Sequence, residues 1–230
     1  MNKGFVIAID GPVAAGKGTI APALAKKLNG FYLYTGATYR CLALYCLEND
    51  IDITHETAVI AILPEVHIDL VEHGVFLNNR DVTKRISEVD VARAVSKVAM
   101  FSAVRERMVA RQQEIAHARI EEGKIIVIEG RDTATIVFPA AELKVFLTAE
   151  TTVRAQRRFA QFVIAGNKKI TLQQVVEDIQ LRDKEDTERA ADPLVTDPQK
   201  HGYFVVDNSY LSEPETVQII IDELKRRKIL

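Results

Sequence analysis

Nine residues, Gly11-Pro12-Val13-Ala14-Ala15-Gly16-Lys17-Gly18-Thr19, carry the chemistry most easily read from this chain. They fit G-x-x-x-x-G-K-[ST], except that Gly18 separates Lys17 from Thr19. Glycines at 11, 16 and 18 let the backbone approach a polyphosphate without Cβ collisions. The loop N–H groups and the start of the following helix would then face the anion. Lys17 would reach the β- and γ-phosphates, and Thr19 would offer its hydroxyl to Mg²⁺. A bare tight turn could also hold glycines. The apolar run Phe5 to Asp10 before them, and Ala21, Leu24, Ala25 and Leu28 at helical spacing after them, favour the phosphate site. Pro22 removes a donor inside that helix and predicts a kink.

A phosphate loop by itself does not separate a kinase from a switch protein or a motor, and the arginines do so better. Arg182, Asp186 and Arg189 are spaced i, i+4, i+7, one face of a predicted helix. Arg154, Arg157 and Arg158 cluster on the helix before it. With Arg40 and Arg131 at strand ends, they are expected to form two cationic walls around a crevice. Phosphoryl transfer needs such walls, because charge on the moving group must be matched and water excluded. Any one arginine taken singly reads as solvated surface; those beside strand ends depart from that rule, since ligands sit there.

The elements that must position these groups are short apolar runs separated by helical segments. Phe31 to Leu33, Ile125 to Ile128, Leu143 to Leu147 and Tyr203 to Val206 follow the first strand. This alternation predicts an α/β fold, a mostly parallel sheet with helices on both faces. Polar residues past the strand ends (Asp10 to Thr19, Tyr34 to Arg40, Glu129 to Asp132, Asp207 to Ser209) should converge on one crevice. Two stretches break the rhythm. Alternation from Val66 to Val82, after Pro64, predicts a small antiparallel insertion. Thr151 to Ala191 reads as a charged helical hairpin of little apolar content, turning near Ala165 to Lys169, a candidate mobile lid. Thr171-Leu172-Gln173-Gln174 has capping-box form, as does Ser212-Glu213-Pro214-Glu215 before a stripe of Val217, Ile220, Ile221 and Leu224. The expected division is a core of 1–62, 89–150 and 191–230, an insertion at 63–88 and a lid at 151–190.

Composition narrows the partners. The 30 basic and 32 acidic side chains nearly cancel, so no surface coats a polyanion and long nucleic acids are not expected. No apolar run nears the roughly 20 residues of a membrane span. The first strand begins almost at once, so no signal peptide is expected. Cys41 and Cys46, five apart on a predicted helix, point in different directions, as expected for core thiols in a reducing cytoplasm. The five histidines lack zinc spacing. A GTPase would need an Asn-Lys-x-Asp run, and none exists.

The ordered set of motifs resembles the bacterial cytidylate kinases over nearly the whole chain. It comprises Ile9-Asp10-Gly11-Pro12, Thr35-Gly36-Ala37-Thr38-Tyr39-Arg40, Arg80-Asp81-Val82-Thr83, Ser96 to Arg105, Gly130-Arg131-Asp132 with Val137-Phe138-Pro139, and Arg182-Asp183 through Arg189 to Pro193-Leu194. The resemblance implies a P-loop NTPase-type three-layer fold with a five-stranded mostly parallel sheet, an inserted monophosphate-binding domain and a helical lid. It implies transfer of the ATP γ-phosphoryl group to CMP or dCMP by a monomer, with Mg²⁺. Carried over by position, Ser96, Arg105 and Asp132 meet the cytosine. Arg182 and Asp186 hold the sugar, Arg40, Arg131 and Arg189 the monophosphate, and Thr35 and Tyr39 line the same pocket. ATP takes Gly11 to Thr19 with Arg157 and Arg158, the metal takes Thr19 and Glu129, and Lys17, Arg131, Arg182 and Arg189 are catalytic.

Four positions depart from the family pattern. Tyr34 stands for an aspartate, Glu129 for an aspartate, Ala134 for a glycine and Asp192 for an alanine. Asp192 is expected to add negative charge close to the phosphate arginines. Three alternatives remain at this point: another small-molecule kinase on the same scaffold, for UMP, AMP or a shikimate-like acceptor, a nucleotide-dependent switch, and a catalytically idle ATP-binding paralogue.

Overall fold

The computed structural model describes residues 4–164, 166 and 169–230. Met1 to Lys3, and the expected turn residues Ala165, Asn167 and Lys168, lie outside the described residues. The elements run β1 (Val6–Asp10), α1 (Lys17–Lys27), β2 (Phe31–Tyr34), α2 (Thr35–Glu48) and α3 (Glu56–Ala61). Then come β3 (Ile68–Val71), β4 (Gly74–Leu77), β5 (Arg80–Asp81), α4 (Val89–Val98) and α5 (Ser102–Glu121). β6 (Ile126–Glu129), β7 (Leu143–Thr148), α6 (Thr151–Ile164), α7 (Leu172–Glu188), β8 (Phe204–Asp207) and α8 (Glu213–Arg226) follow.

Five strands pair in the order β2-β6-β1-β7-β8, every pairing parallel. β1 is buried along its whole length because both sheet faces are covered. Ile7 and Ile9 pack with Ile20 and Leu24 of α1 and with Ile220 and Leu224 of α8. Val6 and Ala8 turn the other way, into a cluster with Leu33, Leu42 of α2 and Met108 of α5. The result is the expected three-layer α/β fold. Each such buried Ile or Leu contributes about 2 kcal/mol relative to exposure. Parallel pairing also sends all five carboxyl ends to one edge of the sheet, where the loops meet.

α1 continues through Pro22 to Lys27, so the proline does not end the helix. β3, β4 and β5 form a separate antiparallel sheet. Ile68 and Leu70 point inward while Asp69 and Val71 point out. Asn78 and Asn79 turn β4 into β5 with φ of 48° and 65°, the double left-handed turn suited to asparagine. Both anticipated capping boxes are formed, at Thr171 with Gln174 and at Ser212 with Glu215. Cys41 and Cys46 are free and buried.

The α6–α7 hairpin departs from the expectation of a charged element with little apolar content. Ala155, Val175 and Ile179 are buried in a seam of their own, flanked by Phe159, Phe162 and Ile170. Val13 of the glycine loop completes this cluster. One side of the hairpin is therefore fastened to the loop by apolar contact.

Candidate active site

The loop between β1 and α1 holds its shape by left-handed residues: φ is 152° at Gly11, 58° at Ala14 and 96° at Gly16. A Cβ on Gly11 would stand 2.0 Å from the Leu147 carbonyl oxygen, and one on Gly16 would stand 3.0 Å from Asn208 Nδ2. Glycine is required at both positions. Gly16 caps α1 without a side-chain acceptor. Among the described residues, no acceptor takes the N–H of Ala14, Gly16, Lys17 or Gly18. These free donors lie together at the positive end of a helix, where negative charge is favoured.

Lys17 is buried, and its Nζ donates to the carbonyls of Gly11 at 2.6 Å and Pro12 at 2.8 Å. Burial first and Arg131 second pull its ammonium down to about 7, against the pull of Glu129, Asp10 and Asp186. Glu129, at the carboxyl end of β6, accepts from the Tyr32 hydroxyl, and burial raises its carboxyl. Thr19 is exposed at the mouth of the loop. No cluster of three or more histidine, cysteine or acidic residues suited to a metal occurs among the described residues.

A single cleft of about 820 Å³ gathers most of the anticipated groups. Val13 to Thr19 line one end, with Glu129, Arg157 and Arg158. Thr35, Tyr39, Arg40, Ser96, Arg105, Arg131, Asp132, Arg182, Asp186 and Arg189 line the rest. Gly11 and Pro12 sit behind the lining and shape the loop. Arg131 Nε donates to Asp186 at 2.6 Å, and Arg189 Nη1 lies 3.8 Å from the same carboxylate. Arg40 donates from Nε to the Tyr34 hydroxyl at 2.9 Å and from Nη1 to the Ile86 carbonyl at 2.8 Å. The phenol at the departure position thus fixes an arginine. Thr35 Oγ1 donates to the Glu129 carbonyl at 2.7 Å, tying the start of α2 to the end of β6.

Arg105 pairs directly with Asp132, and the Tyr39 ring lies 5.6 Å from its guanidinium carbon. Burial raises the Asp132 carboxyl against the pull of Arg105 and Arg189. Ser96, exposed on α4, faces the cleft. The guanidinium groups also crowd one another. Burial, then Arg182 and Arg40, lower the Arg158 guanidinium, and burial and Arg105 lower that of Arg189. Arg158 Nε is buried and has no hydrogen-bond partner among the described residues. Such repulsion is relieved when anions enter.

Four expectations are corrected. Arg189 does not continue the helical face of Arg182 and Asp186: α7 ends at Glu188, and Arg189 caps it with extended backbone. Arg154 is absent from the cationic wall. It is buried, donating to the Ala149 and Val13 carbonyls and to Asp183. Asp10 is withdrawn from the crevice, accepting from Thr133 N–H, Thr133 Oγ1, Ala134 N–H and the Tyr203 hydroxyl. Finally, the Asp192 carboxylate engages Arg105 at 2.8 Å, the arginine expected to meet the base, and only its main-chain carbonyl reaches Arg189.

Several participants were not among the named site residues, and Asn208 was anticipated only as part of the Asp207 to Ser209 stretch. Asn208 accepts from Arg157 Nη1 at 3.0 Å and donates to the Ala15 carbonyl at 3.0 Å, linking β8, α6 and the glycine loop. Tyr32 holds Glu129, and Gln161 and Glu185 line the cleft. Period-two alternation along β2 could have pointed Tyr32 away from Phe31 and Leu33, but not toward Glu129.

A family model described as cytidylate kinase matches residues 7–226. The cytidylate kinase of Bacillus pumilus is 40% identical over 230 residues, 98% of this chain and 98% of that protein. That of Flavobacterium johnsoniae is 38% identical over 229 residues, 96% of each chain. Among solved structures, an uncharacterized protein from Eubacterium ventriosum superposes with a TM-score of 0.52 at 13% identity, covering 96% of this chain and 98% of that one. That last likeness concerns the fold alone.

Proposed function

The chain belongs to the cytidylate kinase family, and from that premise we propose how its cleft moves a phosphoryl group from ATP to CMP. It is a phosphotransferase acting on CMP with ATP as donor. The observation that carries the site assignment is the shared cleft: unpaired loop N–H groups at one end, and the Arg105–Asp132 pair with Ser96 at the other.

The polyphosphate lies on the N–H cradle of Ala14 to Gly18, with Lys17 leaving the Gly11 and Pro12 carbonyls for the β- and γ-oxygens. Arg157 and Arg158 of α6 meet the donor nucleotide. Thr19 and Glu129 are the residues that would hold Mg²⁺, which when bound would supply charge neutralisation for the polyphosphate. That pair suits a site with few acidic ligands.

Across the cleft, Arg40, Arg131 and Arg189 hold the monophosphate, whose planar forks match phosphate oxygens two at a time. Arg182 and Asp186 hold the ribose or deoxyribose, and Thr35 and Tyr39 wall the pocket. Cytosine presents an amino donor beside ring acceptors, so Asp132 faces the amino group while Arg105 and Ser96 meet the rest of that edge. Uracil would set a carbonyl oxygen against the Asp132 oxygen that Arg105 does not hold, acceptor facing acceptor, at a cost of about 1–3 kcal/mol. The acceptor oxygen then attacks in line. Positioning and preorganised charge from Lys17, Arg131, Arg182 and Arg189 lower the barrier, with no covalent intermediate.

In this reading the insertion from 63 to 88, extending into the following helices, is the monophosphate-binding subdomain, and residues 151–190 act as the lid. All groups named come from one chain, so a monomer suffices. The free thiols suit a reducing compartment, and we place the enzyme in the cytoplasm, in pyrimidine nucleotide metabolism.

A coupled ADP-release assay with CMP, dCMP, UMP, AMP and shikimate tests the reading. CMP and dCMP are expected to be preferred. Lys17→Ala and Arg189→Ala should each lose about 10²–10³-fold in turnover while the fold survives. Normal turnover by either variant, or a preference for another acceptor, contradicts the assignment.

A further inference from the structure

We infer that Asp192 is a positioning residue for base selection: it holds the Arg105 guanidinium by its Nε edge, so that the Asp132 carboxylate stays available to the cytosine amino group. The inference rests on the acceptor site proposed above.

Arg105 is 2% exposed and has five N–H donors. Asp192 Oδ2 accepts from Nε at 2.8 Å, and Asp132 Oδ2 accepts from Nη2. Nε and Nη2 share one edge of the guanidinium plane, the edge that a single carboxylate grips with both oxygens. Here two carboxylates divide that edge. Among the described residues no acceptor takes Nη1, and Arg105 lines the cleft. The arrangement leaves Nη1 for a ligand and keeps Asp132 from being drawn wholly into an ion pair.

Asp192 also reaches the second arginine of the cluster. Its main-chain carbonyl accepts from Arg189 Nε at 2.8 Å, while Arg189 Nη2 lies 3.9 Å from Asp132 Oδ2. A left-handed φ of 50° at Asp192 accompanies this double contact. With Arg131 and Asp186 counted, three guanidinium groups and three carboxylates balance in charge, so neither Arg105 nor Arg189 is driven to take Asp132 entirely. Without the Asp192 carboxylate, Arg105 is free to turn side-on to Asp132 and engage both its oxygens. The amino group of cytosine then meets an acceptor already committed, and the advantage of CMP over UMP shrinks.

The test is steady-state kinetics at saturating ATP with CMP or UMP varied, for the wild type, Asp192→Asn and Asp192→Ala. Asparagine tolerates the left-handed backbone and keeps an acceptor oxygen without the charge. The ratio of kcat/KM for CMP over UMP is expected to fall about tenfold in Asp192→Ala and by less in Asp192→Asn. The loss should fall chiefly on KM for CMP, with KM for ATP unchanged. If Asp192→Ala does not fold, Asp192→Asn decides. A ratio equal to wild type in a folded variant overturns the role of Asp192 alone. A wild type without preference for CMP overturns the acceptor site and this role together.

Discussion

Asp183 of α7 and Val13 of the phosphate loop are joined through both backbone groups of the loop residue. Asp183 Oδ1 accepts from the Val13 N–H at 3.2 Å, and Asp183 Oδ2 accepts from Arg154 Nη1 at 2.7 Å. Arg154 Nη1 in turn donates to the Val13 carbonyl at 2.9 Å. The hairpin and the loop therefore share one clasp, set beside the apolar seam of Val13, Val175 and Ile179. Arg154, which resembles its neighbours in sequence, is spent on this clasp.

Removing the carboxylate leaves a buried guanidinium without its counter-charge, since the Arg154 side chain is 6% exposed. Because the Asp183 side chain is 23% exposed, the loss is discounted from that of a deeply buried pair. Asp183→Ala should lose about 2–3 kcal/mol of stability in urea unfolding. Amide exchange at Val13 should accelerate and KM for ATP should rise severalfold. Unchanged exchange at Val13 would show that the clasp does not hold the loop.

Lys17 gives a pH signature. With its ammonium pulled down to about 7 by burial and by Arg131, the free protein holds it mostly neutral at pH 8. Polyphosphate oxygens beside Nζ favour the charged form. ATP binding at pH 8 should thus take up close to one proton, and the uptake should fade toward pH 6. Calorimetry in two buffers of different ionisation enthalpy measures it, and Lys17→Met should abolish it. Equal heats in both buffers at pH 8 would contradict the assignment.

Asp10 is the buried hub of the β1 carboxyl end, with four donors converging at 2.7 to 2.9 Å from Thr133, Ala134 and Tyr203. Truncation strands several buried donors at about 1–3 kcal/mol each. Asp10→Ala is expected to lose at least about 4 kcal/mol in denaturant unfolding, a large share of a typical domain's stability. A loss under about 1 kcal/mol would mean that water replaces the carboxylate.

The parts legible in advance were those built from contiguous residues. The strand, glycine loop and helix of residues 6–27 are contiguous, and the φ angles that bend the loop belong to its own residues. The capping boxes at Thr171 and Ser212 span four residues each. The apolar stripe of α8 is a matter of periodicity, and β1 announced its burial by lacking alternation. The hairpin misled, because its seam is supplied partly by Val13, a residue far away in the chain.

What the sequence by itself determined is the α/β layering and the bend of the glycine loop, since periodicity, capping and left-handed glycines act within a few residues. Which arginine does what was decided by the tertiary structure. Arg154, Arg157 and Arg182 are indistinguishable as residue types, yet Arg154 is buried against Asp183, while Arg157, held by Asn208, and Arg182 line the cleft. Arg105 meets Asp132 across 27 residues and Asp192 across 87. A guanidinium takes its role from the acceptors packed around it, and only the closing of the chain brings those acceptors near.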